Sequence, residues 1–260
     1  MNNPLTFTAE KLNSIIYLAA TGSPAIDGLQ YRLNESNNWQ RYEIGTEIKL
    51  TNIGNYVQFQ NTKNKLSTSS IDFVQFVMTG KISASGNIQS MLNYSNSCKD
   101  YCYYHMFYNC TILTAAPELP ATELAIGCYY RMFKGCTSLV EAPELPATTL
   151  ANDCYNEMFH NCMGLVNAPE LPAMTLATGC YNSMFESCSN LTKAPELPAT
   201  TLAKYCYSDM FNCCISLTKA PELPATTLAK TCYRYMFWGC ISLKNKPKLN
   251  NLIKKIVYNY

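Results

Sequence analysis

The segment Ala-Pro-Glu-Leu-Pro-Ala begins at Ala116, Ala142, Ala168, Ala194 and Ala220, an interval of 26 residues each time. Nothing else in the chain restricts its folding as strongly. A repeat this short cannot bury its own apolar face, so neighbours must stack and share a core. Other positions keep the same register. Cysteines recur at Cys102, Cys128, Cys154, Cys180, Cys206 and Cys232, and again eight residues on at Cys110, Cys136, Cys162, Cys188, Cys214 and Cys240. Between them stand Met106, Met132, Met158, Met184, Met210 and Met236, each followed by Phe, and Leu113, Leu139, Leu165, Leu191, Leu217 and Leu243 complete the set. The sequence therefore predicts a solenoid of six 26-residue coils over residues 91–260.

Within one coil, Cys128, Met132 and Cys136 are four apart, which predicts one face of a helix with Phe133 beside it. Leu139, Ala142 and Leu145 are spaced by three and interleaved with Pro143 and Pro146. Proline cannot donate to a ladder, so a short strand or polyproline-like segment is expected there. Leu150 starts the turn back to the next helix. At the far end Pro247 and Leu249 hold the register while Lys248 replaces the glutamate, and Asn250–Tyr260 reads as a cap.

Residues 1–90 read differently. All 14 cysteines lie after residue 97 and 11 of the 13 prolines after residue 116, so the composition changes near residue 90. Leu5, Phe7 and Ala9 alternate with polar residues, as do Leu29, Tyr31 and Leu33. Further strand candidates are Ser14–Leu18, Arg41–Ile44, Glu47–Leu50, Tyr56–Phe59, Phe73–Met78 and Lys81–Ala84. Alternation suits strands with one buried face, and this many short strands predict a small β-sandwich. Trp39 reads as a structural anchor beside a turn. The expected fold class is thus α+β, with a β-sandwich over 1–90 and a solenoid with helical coils over 91–260.

At these residues the chain resembles a known family. Met132-Phe133-Lys-Gly-Cys136-Thr-Ser-Leu139, followed by Ala142-Pro-Glu-Leu-Pro, is similar to the BspA-like leucine-rich repeat, also called the Treponema pallidum type. The resemblance covers about residues 98–250; the repeat here is a few residues longer and carries an extra proline in its strand. The N-terminal part, including Tyr42-Glu-Ile-Gly45 and Met78-Thr-Gly-Lys-Ile82, looks like the β domain that precedes such repeats in gut Bacteroidales proteins. The resemblance implies a leucine-rich-repeat-type solenoid and a surface or secreted protein that adheres to host matrix or to other bacteria. Similar repeats in phage-encoded proteins imply an alternative, a structural or receptor-binding component of a particle or other assembly. The family has no shared catalytic residues.

Composition narrows the function classes. A net charge of +2 gives no electrostatic footprint for nucleic acid. Charged residues are 15% and hydrophobic ones 48%, unlike a disordered chain. No apolar run is long enough to span a membrane. Met1–Thr8 is polar and lacks the pattern of a secretory signal, so the location stays open between cell surface, virion and cytoplasm. Enzyme activity is not expected. His105 and His160, the two histidines, fall in variable slots and read as solvent-facing; no supported base or glycine-rich phosphate loop accompanies them.

Three ladders are the candidate binding features, and neither a cofactor nor a resident metal is expected. Glu118, Glu144, Glu170, Glu196 and Glu222 share one register; they form either a solvated stripe or a groove for a basic partner or a divalent cation such as calcium. Tyr103, Tyr129, Tyr155, Tyr181, Tyr207 and Tyr233 read as half-buried edge packing or an aromatic strip for a glycan or protein partner. The variable pairs Tyr130-Arg131, Asn156-Glu157, Asn182-Ser183, Ser208-Asp209 and Arg234-Tyr235 change between coils while the frame stays constant, as a specificity surface would. The cysteines read as free buried thiols, neither bridged nor in a zinc pattern; only Cys98-x3-Cys102 and Cys213-Cys214 come near one. Cys213 replaces Gly135, Asn161, Ser187 or Gly239 of the other coils and is the candidate reactive thiol.

Overall fold

Alternating apolar residues in the first ninety positions become eight strands. In the computed structural model, which describes residues 3–24 and 26–244, these are β1 (Leu5–Ala9), β2 (Ser14–Thr21), β3 (Leu29–Leu33), β4 (Gln40–Arg41), β5 (Ile48–Leu50), β6 (Tyr56–Asn61), β7 (Phe73–Thr79) and β8 (Ile82–Ser85). They form two antiparallel sheets, ordered β4-β3-β6-β1-β8 and β5-β2-β7. Leu5, Phe7 and Ala9 on β1, Ile16 and Leu18 on β2, Val57 and Phe59 on β6, and Val74 and Phe76 on β7 are all buried. Phe7 packs 4.6 Å from Phe76 and 6.0 Å from Phe59, and Tyr42 packs edge-on to Phe59 at 5.3 Å. A short 3-10 helix, Ile88–Leu92, follows; Asn87 caps it by accepting from the Gln89 N–H.

The β7 and β8 edges, one on each sheet, are covered by the first repeat. Phe76 N–H on β7 donates to Met106 O at 2.8 Å, and Ala84 N–H on β8 donates to Ala115 O at 3.0 Å. Phe107 stacks on Phe76 with centroids 5.5 Å apart. One apolar core therefore runs from the sheets into the repeats. An edge strand left open would invite pairing with another chain, and here the next segment of the same chain fills that role.

The repeats correct the expected fold class. Among the described residues there is no α-helix, and the chain is nearly all β and turn, not α+β. The leucine-rich-repeat-type solenoid with helical coils is not what forms. Each segment such as Gly127–Cys136 is instead a run of tight turns. Tyr130, Met132, Lys134 and Cys136 donate their N–H groups back to Gly127, Tyr129, Arg131 and Phe133. The residues between them donate out of the repeat: Gly127, Tyr129, Arg131, Phe133 and Gly135 bond to carbonyls of Asn152, Cys154, Asn156, Met158 and His160. A helix would turn all those donors inward along its own axis. The alternation is set by a left-handed residue every fourth position, with φ of +55° at Gly127, +54° at Arg131 and +78° at Gly135. A four-residue turn and a helix both return side chains to one face every four residues, which is why Cys128, Met132 and Cys136 suited a helix.

The inward side chains form columns. Phe107, Phe133, Phe159, Phe185, Phe211 and Phe237 stack with centroids 5.2–5.8 Å apart. Tyr103 through Tyr233 form a parallel column at 5.4–5.9 Å. Burying each such ring stabilises by about 1.5–3 kcal/mol, so the two columns are a main source of cohesion. Isolated parallel bridges also join the repeats, Glu123 to Thr149, Thr175, Thr201 and Thr227 in turn, and Glu141 to Asn167, Lys193 and Lys219. The expected cap, with Pro247, Lys248, Leu249 and Asn250–Tyr260, lies outside the described residues.

Candidate functional site

Two surfaces gather the candidate residues. The first is built by the proline segments. Prolines flank each Glu-Leu pair and withhold two N–H groups per repeat from any ladder. Leu119, Leu145, Leu171 and Leu197 turn inward and are buried. Glu118, Glu144, Glu170, Glu196 and Glu222 turn outward and are exposed. Between adjacent repeats lie concavities. One, of about 480 Å³, is lined by Pro117, Glu118, Leu119, Pro120, Pro143 and Glu144. The next takes Glu144, Leu145, Pro146, Pro169 and Glu170, and a third takes Glu170, Pro172, Lys193 and Glu196. Shared walls at Glu144, Pro146, Glu170 and Pro172 make one furrow across successive repeats, with a leucine and proline floor and a carboxylate at each step. Among the described residues no group of three His, Cys, Asp or Glu side chains is placed to hold a metal ion.

The second surface is the turn face carrying the variable slots. Glu157 is its hub. Its carboxylate accepts from Arg131 Nη2 at 2.7 Å and from Lys134 Nζ, and Tyr130 OH approaches at 3.4 Å. Burial by itself would raise the Glu157 carboxyl, but the bonds to Arg131 and Lys134 outweigh it and hold it down at about 2. His160 Nδ1 lies 3.8 Å from Glu157 and 3.4 Å from Glu186. The Glu186 carboxyl is lowered from its ordinary value; burial opposes the shift, and the approach of His160 and Ser183 produces it. His105 is sandwiched between Tyr104 at 4.0 Å and Tyr108 at 4.4 Å, with Phe73 edge-on. Burial, with Arg131 and Lys134 nearby, pushes it down to about 4, so it is neutral at pH 7.

Several sequence expectations change here. His105 and His160 are partly buried members of this lattice, not solvent-facing substitutions. Asn156, Ser183 and Ser208 are buried. Asn156 donates to Asp153 at 2.8 Å and Ser208 to Asp209 at 2.7 Å, so both serve the turns they sit in. Arg131, Glu157, Asp209 and Tyr235 are partly exposed, and Arg234 is exposed over the Tyr235 ring at 4.7 Å. The tyrosine column is fully buried, not half-buried. It therefore offers no aromatic strip. Lys134 and Glu186, both in the lattice, were visible only as variable slots; their signal is a slot that runs Lys134, His160, Glu186 from cation to carboxylate over three repeats.

All 14 cysteines are free. Cys110, Cys136, Cys162, Cys188, Cys214 and Cys240 donate their thiols to the carbonyls of Phe76, Phe107, Phe133, Phe159, Phe185 and Phe211, at 3.0–3.2 Å. Burial pushes Cys110 and Cys162 up to about 12, so they stay protonated donors. Cys213 is partly exposed and left-handed at φ +58°, in the slot where Gly135 and Gly239 stand. Burial raises its thiol somewhat. No family model, no curated protein and no solved structure matches this chain.

Proposed function

We propose that the chain is a non-enzymatic binding protein whose repeat surface recognises a protein or glycan partner. The observation that carries this reading is the furrow: an apolar floor with one exposed carboxylate per repeat, held open by prolines on a densely packed frame. Buried ring columns fix the spacing, so a partner meets a preorganised surface and little ordering cost remains. The residues that resemble the BspA-like repeat support an adhesive role at a cell surface. Panels of glycans and matrix proteins test it, presented to the full chain and to Glu144→Gln/Glu170→Gln. Saturable binding that the variant loses is the expected result; absence of any saturable ligand would overturn the reading.

A second reading, a structural or receptor-binding component of a particle or other assembly, is favoured by the thiols. Free cysteines used as hydrogen-bond donors suit a protein that does not meet an oxidising compartment. Antibody probing of intact source cells and of any particles they release separates the two. Display on cells supports adhesion, and stoichiometric presence in particles supports assembly.

A further inference from the structure

We infer that the furrow's first half, at Glu118, Glu141 and Glu144, binds an extended peptide segment carrying lysine or arginine at alternate positions. This rests on the binding reading above and names its partner class.

Charge along the furrow is uneven. The slot bridged from repeat to repeat holds Glu141, then Asn167, then Lys193 and Lys219. Glu141 lines a concavity of about 410 Å³ with Thr114, Val140, Ala142 and Pro143, beside the one that contains Glu118 and Glu144. Lys193 instead lines the concavity with Glu170 and Glu196. The early repeats thus present carboxylates without a neighbouring cation in the wall, and the later ones carry their own lysines. A cationic partner is attracted to one half of the furrow only.

Shape and spacing select the rest. Ring centroids of successive repeats lie 5.2–5.9 Å apart in the buried columns, which gives the scale of the step along the furrow. Alternate residues of an extended chain are about 6.6–6.8 Å apart on one face. The mismatch is about 1 Å over the step from Glu118 to Glu144, which flexible lysine stems absorb. Those stems suit the floor as well, because their methylenes cover leucine and proline while the ammonium reaches a carboxylate at the lip. A bare cation matches neither feature. It has nothing to place on an apolar floor, and hard-cation ligands must converge to about 2.3–2.6 Å of one ion, whereas no such group exists among the described residues.

The test is fluorescence anisotropy with a labelled twelve-residue peptide of alternating lysine and alanine, titrated with the full chain at low salt. A glutamate–alanine peptide is the control. Glu118→Gln/Glu144→Gln is compared with Glu196→Gln/Glu222→Gln, which removes the same charge from the other half. The expected result is saturable binding of the lysine peptide, weakened about fivefold or more by the first variant and less than twofold by the second. Salt of about 0.5 M should weaken it further. Equal weakening by both variants, or no saturation by millimolar protein, would overturn the assignment. If the glycan and matrix panels still give binding that depends on Glu144 and Glu170, the broader reading stands and only the peptide assignment falls.

Discussion

Replacing Glu157 with glutamine tests whether the turn-face lattice stabilises the stack. The carboxylate bonds Arg131 and Lys134 of the preceding repeat, so its ionisation ties two repeats together. Its folded pKa of about 2 lies below the ordinary 4.5. The sign follows directly. A depressed carboxyl stabilises the fold fully above pH 4.5, and that contribution is lost as pH falls towards 2. The full shift sets a ceiling of about 3 kcal/mol. Glu157 is only partly withdrawn from water, and screening brings the expected value to about 1–2 kcal/mol. Calorimetry of wild type and Glu157→Gln from pH 7 to pH 2 reads it out. At pH 7 the variant should melt a few degrees lower, by about 2–4 °C for each kcal/mol. Between pH 5 and pH 2 the two curves should converge. An offset that stays constant to pH 2 would refute the reasoning, because the lost stability would then not come from the charge.

Three further outcomes are expected. His105, held at about 4 by burial and nearby cations, stabilises the neutral fold above pH 6.5 and withdraws that contribution as pH falls towards 4; His105→Asn should flatten the melting temperature across that window. Cys162→Ala should cost about 1–2 kcal/mol by urea denaturation, and Cys162→Ser, which keeps a donor towards Phe133 O, should cost no more; a serine variant clearly worse than alanine would show that the thiol acts only as a small hydrophobe. In the native protein a thiol reagent should modify Cys213 first and Cys240 next, while the twelve buried thiols resist; equal labelling of all fourteen would contradict the buried ladder.

How much was legible from sequence depended on whether a pattern had one physical cause. Leu5, Phe7 and Ala9 alternate because a strand buries one face, and the strand lies there. The 26-residue register had one cause too, the stacking of like rings on like rings. Four-residue spacing had two causes. Cys128, Met132 and Cys136 share a face in a helix, and equally in a run of turns with left-handed residues at Gly127, Arg131 and Gly135. Gly127 and Gly135 hinted at the second option, but arginine at 131 gave no such sign. The furrow was legible as a glutamate register, whereas its concave shape depends on inward leucines and withheld proline donors. Glu157's partners were hidden because Arg131 and Lys134 stand 26 and 23 residues away in sequence. Asn156 and Ser208 looked like surface variation because a changing slot resembles an exposed one. Their side chains close local turns, Asn156 through Asp153 and Ser208 through Asp209.

The outward N–H groups of the turn runs point the same way along the chain, Tyr129 to Cys154, Tyr155 to Cys180, Tyr181 to Cys206 and Tyr207 to Cys232. These junctions therefore share one backbone pattern, whatever charges their variable slots carry, and on that backbone the units are interchangeable. Excising one 26-residue unit would bring Tyr129 opposite the carbonyl that Tyr155 now meets, and duplicating a unit would add a step without creating a new kind of joint. Length is then an independent variable of this architecture. Recombination between near-identical units could shorten or extend the furrow like the links of a watch strap, while the sheets that seat the first link stay as they are.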